Sequence, residues 1–151
     1  MKIIVDTREQ QPLDFEFFGA EAERRGLKTG DYSVEGLEDK LVIERKRSTG
    51  ELYMCFGKEW PRFKRELERM ADVPHAYLVF EFPADHMDSF PRNSGIPGYR
   101  WKYLKMTPKF MRKRMHEIQE NFPNVQIVFC ENKHQLAGVV HEICERVYNE
   151  R

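Results

Sequence analysis

The sequence predicts an α/β protein with a mixed central sheet flanked by helices. Three observations carry that expectation. Ile3-Ile4-Val5, Leu41-Val42-Ile43 and Ala76-Tyr77-Leu78-Val79-Phe80 are short apolar runs with the length and composition of buried strands. Residues 59–71, 107–121 and 132–148 instead repeat apolar side chains at helical spacing. The order, strands first and then alternating helix and strand, gives a sheet covered by helices.

In chain order, Ile3 to Val5 is a strand that surfaces at its end in Asp6-Thr7-Arg8-Glu9. Residues 10–20, with Pro12, Gly19 and scattered Phe15, Phe17 and Phe18, show no clean period and read as a loop or an irregular element. Asp31 to Val34 and Lys40 to Lys46 form a hairpin, because Glu35-Gly36-Leu37-Glu38-Asp39 carries the Gly and Asp expected of a turn. Residues 59–71 form a helix with Pro61 at its first position and Phe63, Leu67 and Met70 on one face. After the strand at Ala76 to Phe80, residues 83–98 hold too many Pro and Gly for a regular element and read as a loop of functional length. Thr107-Pro108 opens a helix to about Asn121, Val125 to Phe129 is a strand, and residues 132–148 close the chain as an amphipathic helix.

A chain of 151 residues fits one domain, and its 40% hydrophobic and 33% charged content suits a globular protein. The formal net charge is zero, so the overall balance does not announce a nucleic-acid binder, and the distribution of charge has to be read instead. Cys55, Cys130 and Cys144 form no CxxC pair, and an odd cysteine count points to a reducing, intracellular, cytoplasmic setting. No apolar run has the length of a signal peptide or a membrane span, so no membrane association is expected. Cys130, His134, His141 and Cys144 match no compact zinc spacing. No glycine-rich phosphate loop and no Ser/His/Asp or Cys/His set can be argued either.

The hairpin holds the chemistry. Alternate strand residues share a face, so Glu44 and Lys46 point one way and Arg45 the other. If the turn centres between Leu37 and Glu38, paired residue numbers sum to 75, which sets Asp31 opposite Glu44 and Glu35 opposite Lys40. Two like charges directly across a ladder repel, unless a cation lies between them. Carboxylates are hard ligands that suit Mg²⁺, with Asp6 or Glu9 available as a third acid, and Lys46 is placed to position a water or neutralise phosphate charge. Spacing alone leaves an ordinary alternative open, in which Asp31 caps a turn and Glu44 and Lys46 form a surface ion pair.

Val5-Asp6-Thr7-Arg8-Glu9, then Gly30-Asp31-Tyr32, then Ile43-Glu44-Arg45-Lys46 closely resemble, in order and spacing, the signature of XPF-type nuclease domains, a branch of the PD-(D/E)XK superfamily. The resemblance covers roughly the first half of the chain. It implies a restriction-endonuclease-like fold over residues 1–151 and a DNA endonuclease acting with Mg²⁺ or Mn²⁺ in repair, recombination or replication. The residues matching Asp31 and Glu44 would hold the metal, with Asp6 as a further ligand. The one matching Lys46 would serve the water and phosphate, and those matching Asp6, Arg8 and Arg45 would assist. It also implies a preference for branched, flap or fork DNA. The family's Asp four residues after the motif lysine is Gly50 here, with Glu51 the nearest acid. The family's helicase and tandem helix-hairpin-helix regions find no counterpart in the sequence. The runner-up reading is an idle DNA-binding module of the same fold that orients an active partner.

DNA is the expected partner, and a homodimer or a protein partner is left open. Between Ser89 and His116 there is no acidic residue, while Arg100, Lys102 and Lys105 interleave with Tyr99, Trp101 and Tyr103. The same alternation fits an edge strand with its aromatics in the core. Lys58, Arg62 and Arg65 lie just beyond the catalytic strand and offer further phosphate contacts, although a solvated helix face is an equal reading.

Overall fold

In the computed structural model, which describes residues 1–151, the apolar runs become the middle of one six-stranded sheet. Its strands are β1 (Lys2–Val5), β2 (Glu21–Arg24), β3 (Tyr32–Val34), β4 (Leu41–Lys46), β5 (His75–Phe80) and β6 (Val125–Phe129). They lie in the order β2-β1-β3-β4-β5-β6. β3 runs antiparallel to both β1 and β4, whereas β1 and β2, β4 and β5, and β5 and β6 pair in parallel. The sheet is therefore mixed, as the sequence predicts.

Four helices cover it: α1 (Thr49–Phe56), α2 (Trp60–Ala71), α3 (Pro108–Asn121) and α4 (Lys133–Asn149). The period-2 alternation of β4 divides them between two faces. Leu41 and Ile43 join Ile3, Val5, Tyr32 and the α4 residues Val140, Ile143 and Cys144 in one apolar core. Val42 packs on the other face with Leu52, Phe63, Leu67, Met111 and Ile118 from α1, α2 and α3. Glu44 and Lys46 follow Val42 onto the three-helix face, and Arg45 follows Ile43 onto the α4 face.

Two elements escape the sequence reading. β2 is a polar edge strand, Glu-Ala-Glu-Arg, whose exposed side chains show no apolar alternation. It is held by pairing with β1 and by a charge ladder in which Lys2 lies 3.6 Å from both Glu23 and Glu35, and such charges also protect an edge from adventitious pairing. α1 is announced by Ser48-x-x-Glu51, a capping-box spacing that the Gly at position 50 disguises. Ser48 Oγ accepts from the Glu51 N–H at 3.3 Å.

The hairpin register is the expected one, since Tyr32 pairs with Ile43. Glu35 does not meet Lys40, however. The chain turns between Val34 and Leu41, where the Leu37 and Lys40 N–H groups close local bonds, and Glu35 joins Lys2 and Arg25 instead. Tyr99 to Leu104 is not an edge strand either. Gly98–Tyr103 is a 3-10 helix that leaves Tyr99 and Tyr103 in solvent. No helix is long and apolar enough to cross a membrane.

Candidate active site

Three strand ends meet at one edge of the three-helix face. The Asp6 N–H donates to the Asp31 carbonyl and the Asp31 N–H to the Ile43 carbonyl, both at 2.8 Å, so the ladder continues past the regular strands and aligns Asp6, Asp31 and Glu44. Gly30 makes this possible. Its φ of +84° is one that side chains rarely adopt, and a Cβ there would meet the Val42 side chain.

Asp6, Asp31, Glu44 and Lys46 line a cleft of about 290 Å³, together with Arg8 and the α2 residue Arg62. Glu44 and Lys46 are buried charges, a rare state that marks candidate sites. Lys46 Nζ donates to Glu44 Oε2 at 3.0 Å and lies 4.9 Å from the centre of the Phe63 ring. Asp31 Oδ2 accepts the Arg45 N–H at 2.8 Å. The second oxygen of each carboxylate takes no donor from the protein.

The electrostatics are those of two acids crowded together. Burial raises the Asp31 carboxyl from 3.8 to about 6, against the Arg45 N–H and with help from Glu9. Burial, then Asp31, pushes Glu44 well above its ordinary value even though Lys46 touches it. Burial alone would lower the Lys46 ammonium, but Glu44, Cys55 and Glu66 outweigh it and hold Lys46 above the usual lysine range. Without a bound metal, Lys46 thus carries its charge against Glu44.

The remaining expected residues sit as follows. Asp6 faces the cleft, yet its oxygens are engaged by the Leu27 N–H at 2.9 Å and by Arg8 Nε at 2.7 Å, so it organises the rim. Arg8 also binds the Leu27 carbonyl at 3.0 Å. Arg45 lies behind the site, on the α4 face. It reaches Glu81 at 2.5 Å, Glu9 at 3.1 Å and the Gln11 carbonyl at 2.6 Å, and its Nη1 donates to Tyr32 Oη at 3.3 Å. Glu9 is spent there and does not line the cleft. Glu51 pairs with Arg47 at 2.8 Å, also outside it. On α2, Arg62 lines the cleft with its side chain 80% exposed, whereas Arg65 on the same helix and Lys58 in the turn before it are exposed outside the cleft. Arg100, Lys102 and Lys105 are exposed on the segment after the 83–98 loop.

Lining residues that the sequence reading missed are Lys28, Thr29, Cys55, Glu59, Glu66 and Arg69. Glu59, the residue before α2, and Arg62, Glu66 and Arg69 within it form a helical stripe visible in the sequence once that face is known to meet β4. Cys55 belongs to the unforeseen α1 and carried no signal of its own.

The chain matches the ERCC4 domain model over residues 5–143. It is similar in structure to XPF from Aeropyrum pernix, with a TM-score of 0.69 and 18% identity over 97% of this chain and 61% of that one. XPF from Aeropyrum pernix in complex with DNA gives a TM-score of 0.68 and 19% identity, covering 99% of this chain and 66% of that one. The chain thus spans about three fifths of that solved chain's length. A search of curated proteins found no match. On these grounds the chain belongs to the ERCC4 domain family and has the fold of an XPF-type nuclease domain.

Proposed function

We propose that this chain is a divalent-metal-dependent endodeoxyribonuclease that hydrolyses DNA phosphodiester bonds, selective for flap, fork or branched DNA in repair, recombination or replication. The observation that carries the reading is the gathering of Asp31, Glu44 and Lys46 on one face of a cleft whose rim includes Arg8 and Arg62. The XPF structure that holds DNA supports DNA as the ligand.

The donor set suits Mg²⁺ or Mn²⁺. Asp31 and Glu44 each present an oxygen without a protein donor, and their mutual repulsion is relieved by a cation between them. Two carboxylates are what Mg²⁺ commonly takes, with waters and substrate phosphate completing its shell. When bound, the metal would acidify a water and polarise the scissile phosphate. Lys46, on the same face as both carboxylates, donates to a phosphate oxygen and stabilises charge that grows in the transition state. Asp6 and the Leu27 N–H fix the loop that carries Arg8, and Arg45 holds the opposite side of β4 while its own N–H orients Asp31. Lys58, Arg62, Arg65, Arg100, Trp101, Lys102 and Lys105 supply DNA contacts around the cleft.

The test is incubation with end-labelled duplex, flap, fork and single-stranded DNA in Mg²⁺, Mn²⁺ or EDTA. Cutting of the junction substrates with metal and none in EDTA is expected. Retained binding without cutting on every substrate would overturn the catalytic reading in favour of an idle module.

A further inference from the structure

The segment 98–105 carries the densest exposed aromatic character in the molecule, and its geometry differs from a simple alternation. Of the five large apolar or aromatic side chains that stay exposed in this chain, Tyr99, Trp101 and Tyr103 fall within the single 3-10 helix Gly98–Tyr103. In such a helix positions i and i+3 eclipse, so three stripes form. Gly98 and Trp101 share one stripe, on which the Trp101 ring is tied back to the chain. Trp101 is only 37% exposed, and its Nε1 donates to the Ile96 carbonyl at 2.8 Å. The other two stripes pair Tyr99 with Lys102 and Arg100 with Tyr103, and their rings are 76% and 71% exposed. Each outward stripe therefore joins one aromatic ring to one cation.

The cations are free. Arg100, Lys102 and Lys105 make no salt bridge, unlike Arg112 with Asp88 or Arg114 with Glu117. Lys102 Nζ lies 5.2 Å from the centre of the Tyr103 ring, which stays largely exposed. The segment is also anchored beside the catalytic layer. Ile96, Leu104 and Met106 pack against the three-helix core, and Met106 abuts Gly57 in the α1–α2 turn, two residues before the cleft-lining Glu59.

An exposed ring, a neighbouring cation without an ion pair and a stretch free of acidic residues together match a nucleotide whose base is unpaired. The ring stacks on the base and the cation meets the phosphate. Bases inside a duplex offer no such face. We infer that Tyr99 and Tyr103, with Lys102 and Arg100, form a platform for single-stranded DNA beside the catalytic cleft. This deepens the proposed function by assigning the unpaired arm of a junction substrate to a specific surface.

The inference rests on that function but is tested apart from it, by fluorescence anisotropy in EDTA, where no cutting occurs. The intact chain and the Tyr99→Ala/Tyr103→Ala double variant are titrated with labelled (dT)15 and with a blunt duplex. Stacking is worth about 1–3 kcal/mol per base by alanine substitution, so the variant should bind (dT)15 at least about tenfold more weakly. Its blunt-duplex affinity should stay within about twofold, and the Tyr99→Phe/Tyr103→Phe variant, which keeps both rings, should bind (dT)15 like the parent. Unchanged (dT)15 binding by the alanine variant would overturn the platform, as would equal losses on both ligands. A chain that fails to cut any DNA, yet shows the selective loss, would keep the platform and refute only the catalytic reading.

Discussion

Asp31→Asn isolates the electrostatic strain of the site from its chemistry. In the folded chain burial raises the Asp31 carboxyl from 3.8 to about 6. At about 1.4 kcal/mol per pH unit, ionising it there costs roughly 3 kcal/mol more than ionising a free aspartate. Because the folded value is the raised one, this contribution favours the native state below about pH 4 and is lost as pH climbs through 6. Asn keeps an oxygen for the Arg45 N–H and carries no charge. The variant should therefore match the parent near pH 4 and exceed it by about 3 kcal/mol at pH 8 without metal, which for a chain of this size is a Tm about 6–12 °C higher. Mg²⁺ should act oppositely. A ligand at ten times its Kd adds about 1.4 kcal/mol to the parent, and that increment should vanish in the variant together with cleavage. Thermal melts of both proteins from pH 4 to pH 8, with Mg²⁺ and with EDTA, check this. A variant less stable than the parent at pH 8, or one that keeps the full Mg²⁺ increment, would refute the account of two opposed carboxylates awaiting a cation.

Other outcomes follow from neighbouring groups. Lys46→Ala should abolish cleavage while leaving DNA affinity nearly unchanged, as measured by single-turnover cutting beside anisotropy in EDTA, because its charge matters most in the transition state. Equal losses in both would reassign Lys46 to binding. Arg45→Ala should cost about 3 kcal/mol in urea unfolding, since Glu81 and Glu9 lose the guanidinium that joins them. A loss under about 1 kcal/mol would show that this network is decorative. Replacing Arg100, Lys102 and Lys105 together with Ala should lower the slope of log affinity against log salt by about two, and an unchanged slope would return them to ordinary solvated side chains.

The parts of the molecule legible in the sequence are those where a period or a turn forces the geometry. The pairing of Asp31 with Glu44 followed from turn chemistry, because a one-residue slip would move every β4 side chain to the wrong face. The same alternation sends Arg45 to the far side, where it lies among Glu9, Glu81 and Tyr32. Its partners were not legible, because they lie 36 and 13 residues away and meet only through tertiary packing. β2 was invisible because an exposed edge strand needs no apolar face. The aromatic run at 99–103 leaves two readings open in the sequence, an exposed basic and aromatic surface or an edge strand. Alternation alone does not separate them, and Pro97 and Gly98 start a 3-10 turn that spreads the same residues over three stripes.

Gly50 gives the absent acid of the family pattern a physical reading. Its N–H donates to the Ser94 carbonyl at 3.1 Å, and a Cβ at position 50 would collide with that same carbonyl. The bare backbone of α1 is thus the berth for Ser94, one of the points at which the 83–107 segment is moored. A carboxylate and this mooring exclude each other at one position. An Asp at position 50 would have to push Ser94 aside, and so would loosen one tie of the loop that leads to Tyr99 and Tyr103 before its charge met any partner.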